Sequence, residues 1–135
     1  MIKTAQLGKE IAVIAINKIG VLADISKIMA DHGINVIAVA GYALNQEAKI
    51  MLVTEDNLRA TDALKKSGYK SIKENEVIIV ELENKVGALK LVTAKLASEG
   101  VDINEVYGSV CTGSCPARLI LSTSNNEKAL VSFNK

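Results

Sequence analysis

Two stretches of this chain repeat each other at a fixed spacing, and that repeat constrains the fold more than any other feature. Asn17-Lys18-Ile19-Gly20-Val21-Leu22 recurs as Asn84-Lys85-Val86-Gly87-Ala88-Leu89, 67 residues further on. The same shift carries Gly33-Ile34-Asn35-Val36 onto Gly100-Val101-Asp102-Ile103, and Gly41 onto Gly108. It also places the run Ile50–Thr54 on Ala117–Leu121 without a gap. Self-similarity at one register describes two copies of a single folding unit. Two copies of 67 account for 134 of the 135 residues.

Each copy reads as the same series of elements. Glu10 to Ile16 is an apolar, β-branched run and predicts a strand. Gly20 to His32 carries Val21, Leu22, Ile25, Ile28 and Met29 at helical spacing, and Gly33 stops the helix. Ile34 to Leu44 and Ala48 to Thr54 predict two more strands, joined by the polar Asn45-Gln46-Glu47. Asp56 or Asn57 caps a second helix to about Lys66, with Leu58 and Leu64 expected on its inner face. Tyr69 to Lys73 predicts a short fourth strand. In the second copy, Val77 to Glu83 is a strand. Gly87 to Glu99 is a helix with Leu89, Val92, Leu96 and Ala97 expected inward. Val101 to Val110 and Ala117 to Ser122 are strands, and a short helix spans about Asn126 to Phe133. The expected class is α+β, with two βαββαβ units over residues 1–74 and 75–135.

The second copy lacks a fourth strand of its own. Under the shift, Met1–Leu7 falls on Gly68–Glu74, the fourth-strand region. The segment 1–7 is therefore expected to fill an edge position in one of the two sheets, with the second as the candidate, since an open edge is a pairing liability. A frayed tail is the alternative.

Composition narrows the function. Lys plus Arg is 16 and Asp plus Glu is 15, for a formal net charge of +1. This balance gives no electrostatic case for nucleic acid or an acidic membrane. Aromatic residues make up 3%, with no Trp, which disfavours base-stacking surfaces. The N-terminus has no signal-like apolar block, and no segment reaches the ~18 apolar residues of a membrane helix. A soluble, cytoplasmic protein is the default expectation. The lone His32, at a helix C-terminus, reads as structural or solvated. Glu81 and Glu83 share one strand face but come without a nucleophile or a base. No catalytic constellation, metal site or cofactor motif emerges.

On the two repeated motifs, the chain resembles a tandem pair of ACT domains. The marker of that family is a turn with a small residue, often Pro-Gly, between the first strand and first helix. Here the turns are Asn17–Leu22 and Asn84–Leu89, with Lys-Ile and Lys-Val in place of a Pro before Gly20 and Gly87. The second marker, often Gly-Ile/Val-Asn-Ile, is Gly33–Val36 and Gly100–Ile103. The resemblance implies ferredoxin-like (βαββαβ) units side by side, with a free amino acid bound at the interface between them. It implies a regulatory module without catalytic activity, in particular a stand-alone double-ACT protein, while edge strands invite a homodimer. A regulatory subunit that docks on a separate amino acid biosynthetic enzyme is the alternative.

The residues suit that chemistry. Free N–H groups at a helix start can hold a carboxylate, and Gly20 and Gly87 let a ligand approach the backbone. Asn17 and Asn84 can donate and accept. Lys18 and Lys85 are weaker candidates, and Ile19, Val21, Leu22, Val86, Ala88 and Leu89 complete the two turns. Asn35 and Asp102 open the second strands, where Asp102 can meet an ammonium group. Equally, the Asn can simply cap a helix and the Gly simply turn the chain. Cys111-Thr112-Gly113-Ser114-Cys115-Pro116 has several open readings. They are a plain loop, a disulfide, half a zinc site completed by dimerisation, a redox pair and a ligand-facing flap.

Overall fold

The structure is a computed structural model that describes residues 1–110 and 114–135. Its elements run β1 (Ile2–Ile16), α1 (Val21–Asp31), β2 (Val36–Leu44), β3 (Glu47–Thr54), α2 (Asn57–Lys66), β4 (Ser71–Leu82), α3 (Ala88–Ser98), β5 (Ile103–Ser109), β6 (Ala117–Thr123) and α4 (Asn126–Phe133). The chain divides into two compact units. One is Lys9–Asn75, and the other combines Met1–Gly8 with Glu76–Lys135.

In the Lys9–Asn75 unit the strand order is β2-β3-β1-β4. β1 alternates core-facing Ile11 and Val13 with Ala12 and Ile14 on the other face, as a strand must. The core-facing residues meet Ile50 and Leu52 of β3, and α1 and α2 cover them with Ile25, Ile28, Met29, Ala60 and Leu64. Each fully buried aliphatic side chain here contributes roughly 1.5–3 kcal/mol. Gly33, at φ +65°, turns the chain out of α1.

The second unit repeats the plan with order β1-β4-β6-β5. Ile78, Val80 and Leu82 of β4 and Leu121 of β6 pack under Val92 and Leu96 of α3 and Phe133 of α4. Among the described residues no strand follows α4, and residues 2–8 of β1 lie beside β4 in the fourth-strand place. Gly8 belongs to this contact. A Cβ there would stand 2.6 Å from Ile79 Cδ1, so the glycine serves packing rather than a turn.

The units are ferredoxin-like, each with the expected βαββαβ arrangement of elements. Four details differ from the sequence reading. First, the expected pairs of short strands are fused. Residues 1–7 and 10–16 form one strand, as do Tyr69–Lys73 and Val77–Glu83 apart from their ends. Second, the repeat is not gapless. Ile11 pairs with Leu52 and Ile78 with Leu121. The first members are 67 apart and the second 69, so two extra residues lie between β5 and β6. Ile50–Thr54 therefore matches Leu119–Thr123, not Ala117–Leu121. Third, Leu58 is 83% exposed, and α2 turns Ala60, Ala63 and Leu64 inward. Fourth, Leu89 and Ala97 of α3 are exposed, and Ala88 joins Val92 and Leu96 inside. In both helices the buried positions fall three or four residues apart, a stripe too narrow to include the remaining apolar residues.

The helices α2 and α4 are tied down identically. Asp56 accepts the Arg59 amide at 3.1 Å, and Asn125 accepts the Lys128 amide at 3.0 Å. The cap thus falls to Asp56, leaving Asn57 for another task. Its Oδ1 accepts from the Thr54 amide and hydroxyl at 3.1 and 2.7 Å, and its Nδ2 donates to the Lys9 carbonyl at 2.9 Å. Asn126 does the same with Thr123, at 3.0 and 2.7 Å, and with the Glu76 carbonyl, at 3.1 Å.

Candidate functional site

The strand-to-helix turns differ from the other helix starts. α1 and α3 begin at Gly20 (φ +95°) and Gly87 (φ +90°), both left-handed, and neither has a side-chain cap. Asn17 and Asn84 thus do not cap the helices. Gly20 and Gly87 accept from the Asp24 and Leu91 amides at 2.8 and 3.1 Å. Of the earlier amides, that of Val21 donates to the Lys18 carbonyl at 3.4 Å and that of Ala88 to the Lys85 carbonyl at 3.2 Å, and the next in each first turn are donors that a helix leaves open unless something caps them.

Around these turns the two units place equivalent residues alike. Ile19 and Val86 stand at the tips, 104% and 99% exposed. Leu22 and Leu89 are exposed one helical step on, while Val21 and Ala88 turn into the cores. The Asn17 amide donates to the Gln46 carbonyl at 2.7 Å and anchors its turn to the β2–β3 connection. Lys18 is exposed. Lys85 is committed to Glu83 at 3.2 Å, and the Met1 ammonium reaches the other Glu83 oxygen at 3.3 Å. The hydrogen bond from Lys85, then that from the Met1 ammonium, holds the Glu83 carboxyl below its usual range.

In the second unit the turn walls a cavity of about 300 Å3. Asn84, Lys85, Ala88 and Leu89 line one side, and Gly108, Ser109 and Val110 another. The end of β5 was not among the expected site residues. Its one sequence signal was the repeated glycine, Gly41 and Gly108. A Cβ at Gly108 would stand 2.5 Å from the Arg118 carbonyl oxygen. In the Lys9–Asn75 unit, Leu22 with Ile25, Met29, Val36 and Val39 lines an apolar groove of about 390 Å3 between α1 and β2.

Asn35 and Asp102 lie elsewhere. Each follows the C-terminal end of its unit's first helix. At ~1.5 Å per residue, an 11-residue helix sets them about 16 Å from the turn of the same unit. Asn35 donates to Glu55 Oε1 at 3.2 Å, and the Asp102 amide donates to Ser124 Oγ at 2.9 Å. Both residues close the junction after β3 or β6. His32 is exposed, with Nδ1 2.8 Å from the Ile28 carbonyl oxygen, and its own carbonyl accepts from Arg59.

Cys111, Thr112 and Gly113 lie outside the described residues. Cys115 is disulfide-bonded. Among the described residues no group of three His, Cys, Asp or Glu could hold a metal ion, and no helix is long and apolar enough to cross a membrane.

No protein-family model matches the chain, and no curated protein matches it. Solved structures do. Protein BT0572 from Bacteroides thetaiotaomicron superposes with a TM-score of 0.88 at 24% identity, over 96% of this chain and 88% of that one. The ligand-free regulatory subunit of aspartate kinase from Thermus thermophilus gives 0.69 at 15% identity, over 98% and 96%. Aspartokinase III of E. coli, in complex with lysine and aspartate, gives 0.54 at 17%, over 98% of this chain and 32% of that enzyme. At these identities the likeness is one of fold.

Proposed function

We propose that the chain is a non-catalytic regulatory protein that docks on a separate enzyme of amino acid biosynthesis. The observation that carries this reading is the repeated pair of exposed apolar residues at the turns. Ile19 with Leu22, and Val86 with Leu89, leave hydrocarbon in water at equivalent places in both units. Burying such a side chain in a partner is worth roughly 1.5–3 kcal/mol. The fold agrees, since it matches a regulatory subunit of aspartate kinase over nearly its whole length.

The test mixes the purified chain with purified amino acid kinases, beginning with aspartate kinase, and follows complex formation by size exclusion. A stable complex whose activity responds to an amino acid is expected. The double variant Ile19→Asp, Val86→Asp should lose the complex and keep its circular dichroism, because both side chains lie in solvent. Failure of every such enzyme to bind would refute the reading.

A second reading rests on the cavity beside Asn84. An uncapped helix start, an amide side chain and about 300 Å3 of space suit a free amino acid. Calorimetry across the free amino acids tests it. Heat from one of them that Asn84→Ala abolishes is the expected result, and no heat from any of them would dismiss it.

A further inference from the structure

The sheet of the Lys9–Asn75 unit has a second face, turned away from α1 and α2, and a concavity of about 490 Å3 lies on it. Ala12 and Ile14 of β1 form its floor. Lys49 of β3 stands on one side, with Lys70, Ser71 and Lys73 on the other. Strand alternation puts Ala12, Ile14, Lys49, Ser71 and Lys73 there, and Lys70 joins them from just ahead of β4. Ala12 and Ile14 alternate with core-facing Ile11 and Val13, Lys49 lies between core-facing Ala48 and Ile50, and Ser71 and Lys73 flank core-packed Ile72.

The repeat supplies the comparison that gives this face a meaning. Register pairs Ile14 with Lys49 in one unit and Glu81 with Arg118 in the other. By the offsets of 67 and 69, these are equivalent positions. In the second unit the cation has a carboxylate across the strand, with Arg118 and Glu81 at 4.0 Å. In the first, Ile14 replaces that carboxylate and Lys49 faces hydrocarbon. Lys70 and Lys73 add two more cations, and in the second unit Lys3 and Gln6 occupy their equivalents, so the cation at Lys73 belongs to the first unit alone. Among the described residues no carboxylate is ion-paired with Lys49, Lys70 or Lys73. Among the described residues no Asp or Glu lines the concavity. Glu10 is buried next to it and takes a hydrogen bond from Asn75, which contributes to the lining.

We propose that this concavity binds a small, multiply charged anion, with Lys49, Lys70 and Lys73 supplying the counter-charge and Ser71 and Asn75 hydrogen bonds. Gathering like charges without a partner is unfavourable, and an anion relieves it. Ammonium groups act as compact point charges, so the recognised chemistry is charge density, which phosphoryl groups and polycarboxylates share. The volume lies in the range of small-molecule sites. The site is independent of the docking turns and of the cavity beside Asn84.

The experiment titrates the full chain with inorganic pyrophosphate and, separately, citrate. Both use calorimetry at an ionic strength held constant with potassium chloride. Saturable binding of pyrophosphate alone identifies a phosphoryl ligand. Binding of citrate alone identifies a polycarboxylate, and binding of both identifies charge as the sole criterion. Ile14→Glu, which installs the second unit's arrangement, should weaken binding at least about tenfold, as should Lys73→Gln. Lys73 is exposed, so Lys73→Gln keeps the test decisive if Ile14→Glu perturbs folding. The proposal is overturned if neither anion binds above the chloride control, or if binding survives both substitutions unchanged.

Discussion

Replacing Asn57 with Ala should destabilise the Lys9–Asn75 unit far more than a half-buried polar residue ordinarily would. Its amide ties the end of β3 to the start of the unit's first strand through three hydrogen bonds, to the Thr54 amide, the Thr54 hydroxyl and the Lys9 carbonyl. Each such bond contributes about 0.5–1.5 kcal/mol net. Thr54 is buried, so water cannot freely replace the lost partner of its amide. Its hydroxyl still accepts from the Asp56 amide, which limits that part of the loss. The sum is about 2–4 kcal/mol. Asn126 makes the same three bonds in the other unit, so Asn126→Ala should cost the same. The two share no partners, and the double variant should show the two losses summed. Urea unfolding followed by circular dichroism, with linear extrapolation, reads the change directly. Losses below about 0.5 kcal/mol for either variant would refute the reasoning, because the ties would then be replaceable by solvent.

Three further outcomes follow from the packing. Gly20→Ala meets no atom within 4 Å, so only its φ of +95° penalises it, by ~1–2 kcal/mol. Gly108→Ala drives a Cβ against the Arg118 carbonyl and should cost more in the same unfolding assay. Leu64→Ala should cost ~2–5 kcal/mol, because Leu64 is fully buried. Exposed Leu58→Ala should stay within ~0.5 kcal/mol. Burial, and then the hydrogen bond to Asp24, raises the Tyr69 hydroxyl from its ordinary 10.0 to about 12. The folded state thus holds this proton more tightly than the unfolded chain. The resulting stability is complete below pH 10 and disappears as pH rises through about 12. Stability curves of the wild type and Tyr69→Phe should converge in that window, and parallel curves would refute the assignment.

The order of elements was legible because the apolar runs of both copies carry the right periods, 2 for strands and 3.6 for helices. The two-residue insertion was not, for the same reason. Sliding a strand by two residues keeps every side chain on its face. Ala117–Leu121 and Leu119–Thr123 therefore fit the alternation of Ile50–Thr54 equally well. What distinguishes them is polar: Thr54 and Asn57 recur as Thr123 and Asn126 only at a spacing of 69. The expected strands stop at Leu7 and Lys73 and restart at Glu10 and Val77, yet β1 and β4 run through Gly8 and Glu74-Asn75-Glu76. A glycine chosen for close packing looks, in one dimension, like a glycine chosen for a turn. The turn motifs located the open helix starts. In one unit Gly108–Val110 meets the Asn84–Leu89 turn, and in the other Lys49 meets Lys70 and Lys73, each from segments distant in sequence that only strand pairing brings together.

The borrowed strand also sets a timetable for synthesis. Residues 2–8 emerge early, but the β4 segment they lie against follows about 70 residues later, which at ~5–20 residues per second is several seconds. Lys9–Asn75 is contiguous and can close first. The leading strand must wait, unpartnered, for the second unit to be made. Moving residues 1–8 behind Lys135 would make both units contiguous and remove that delay.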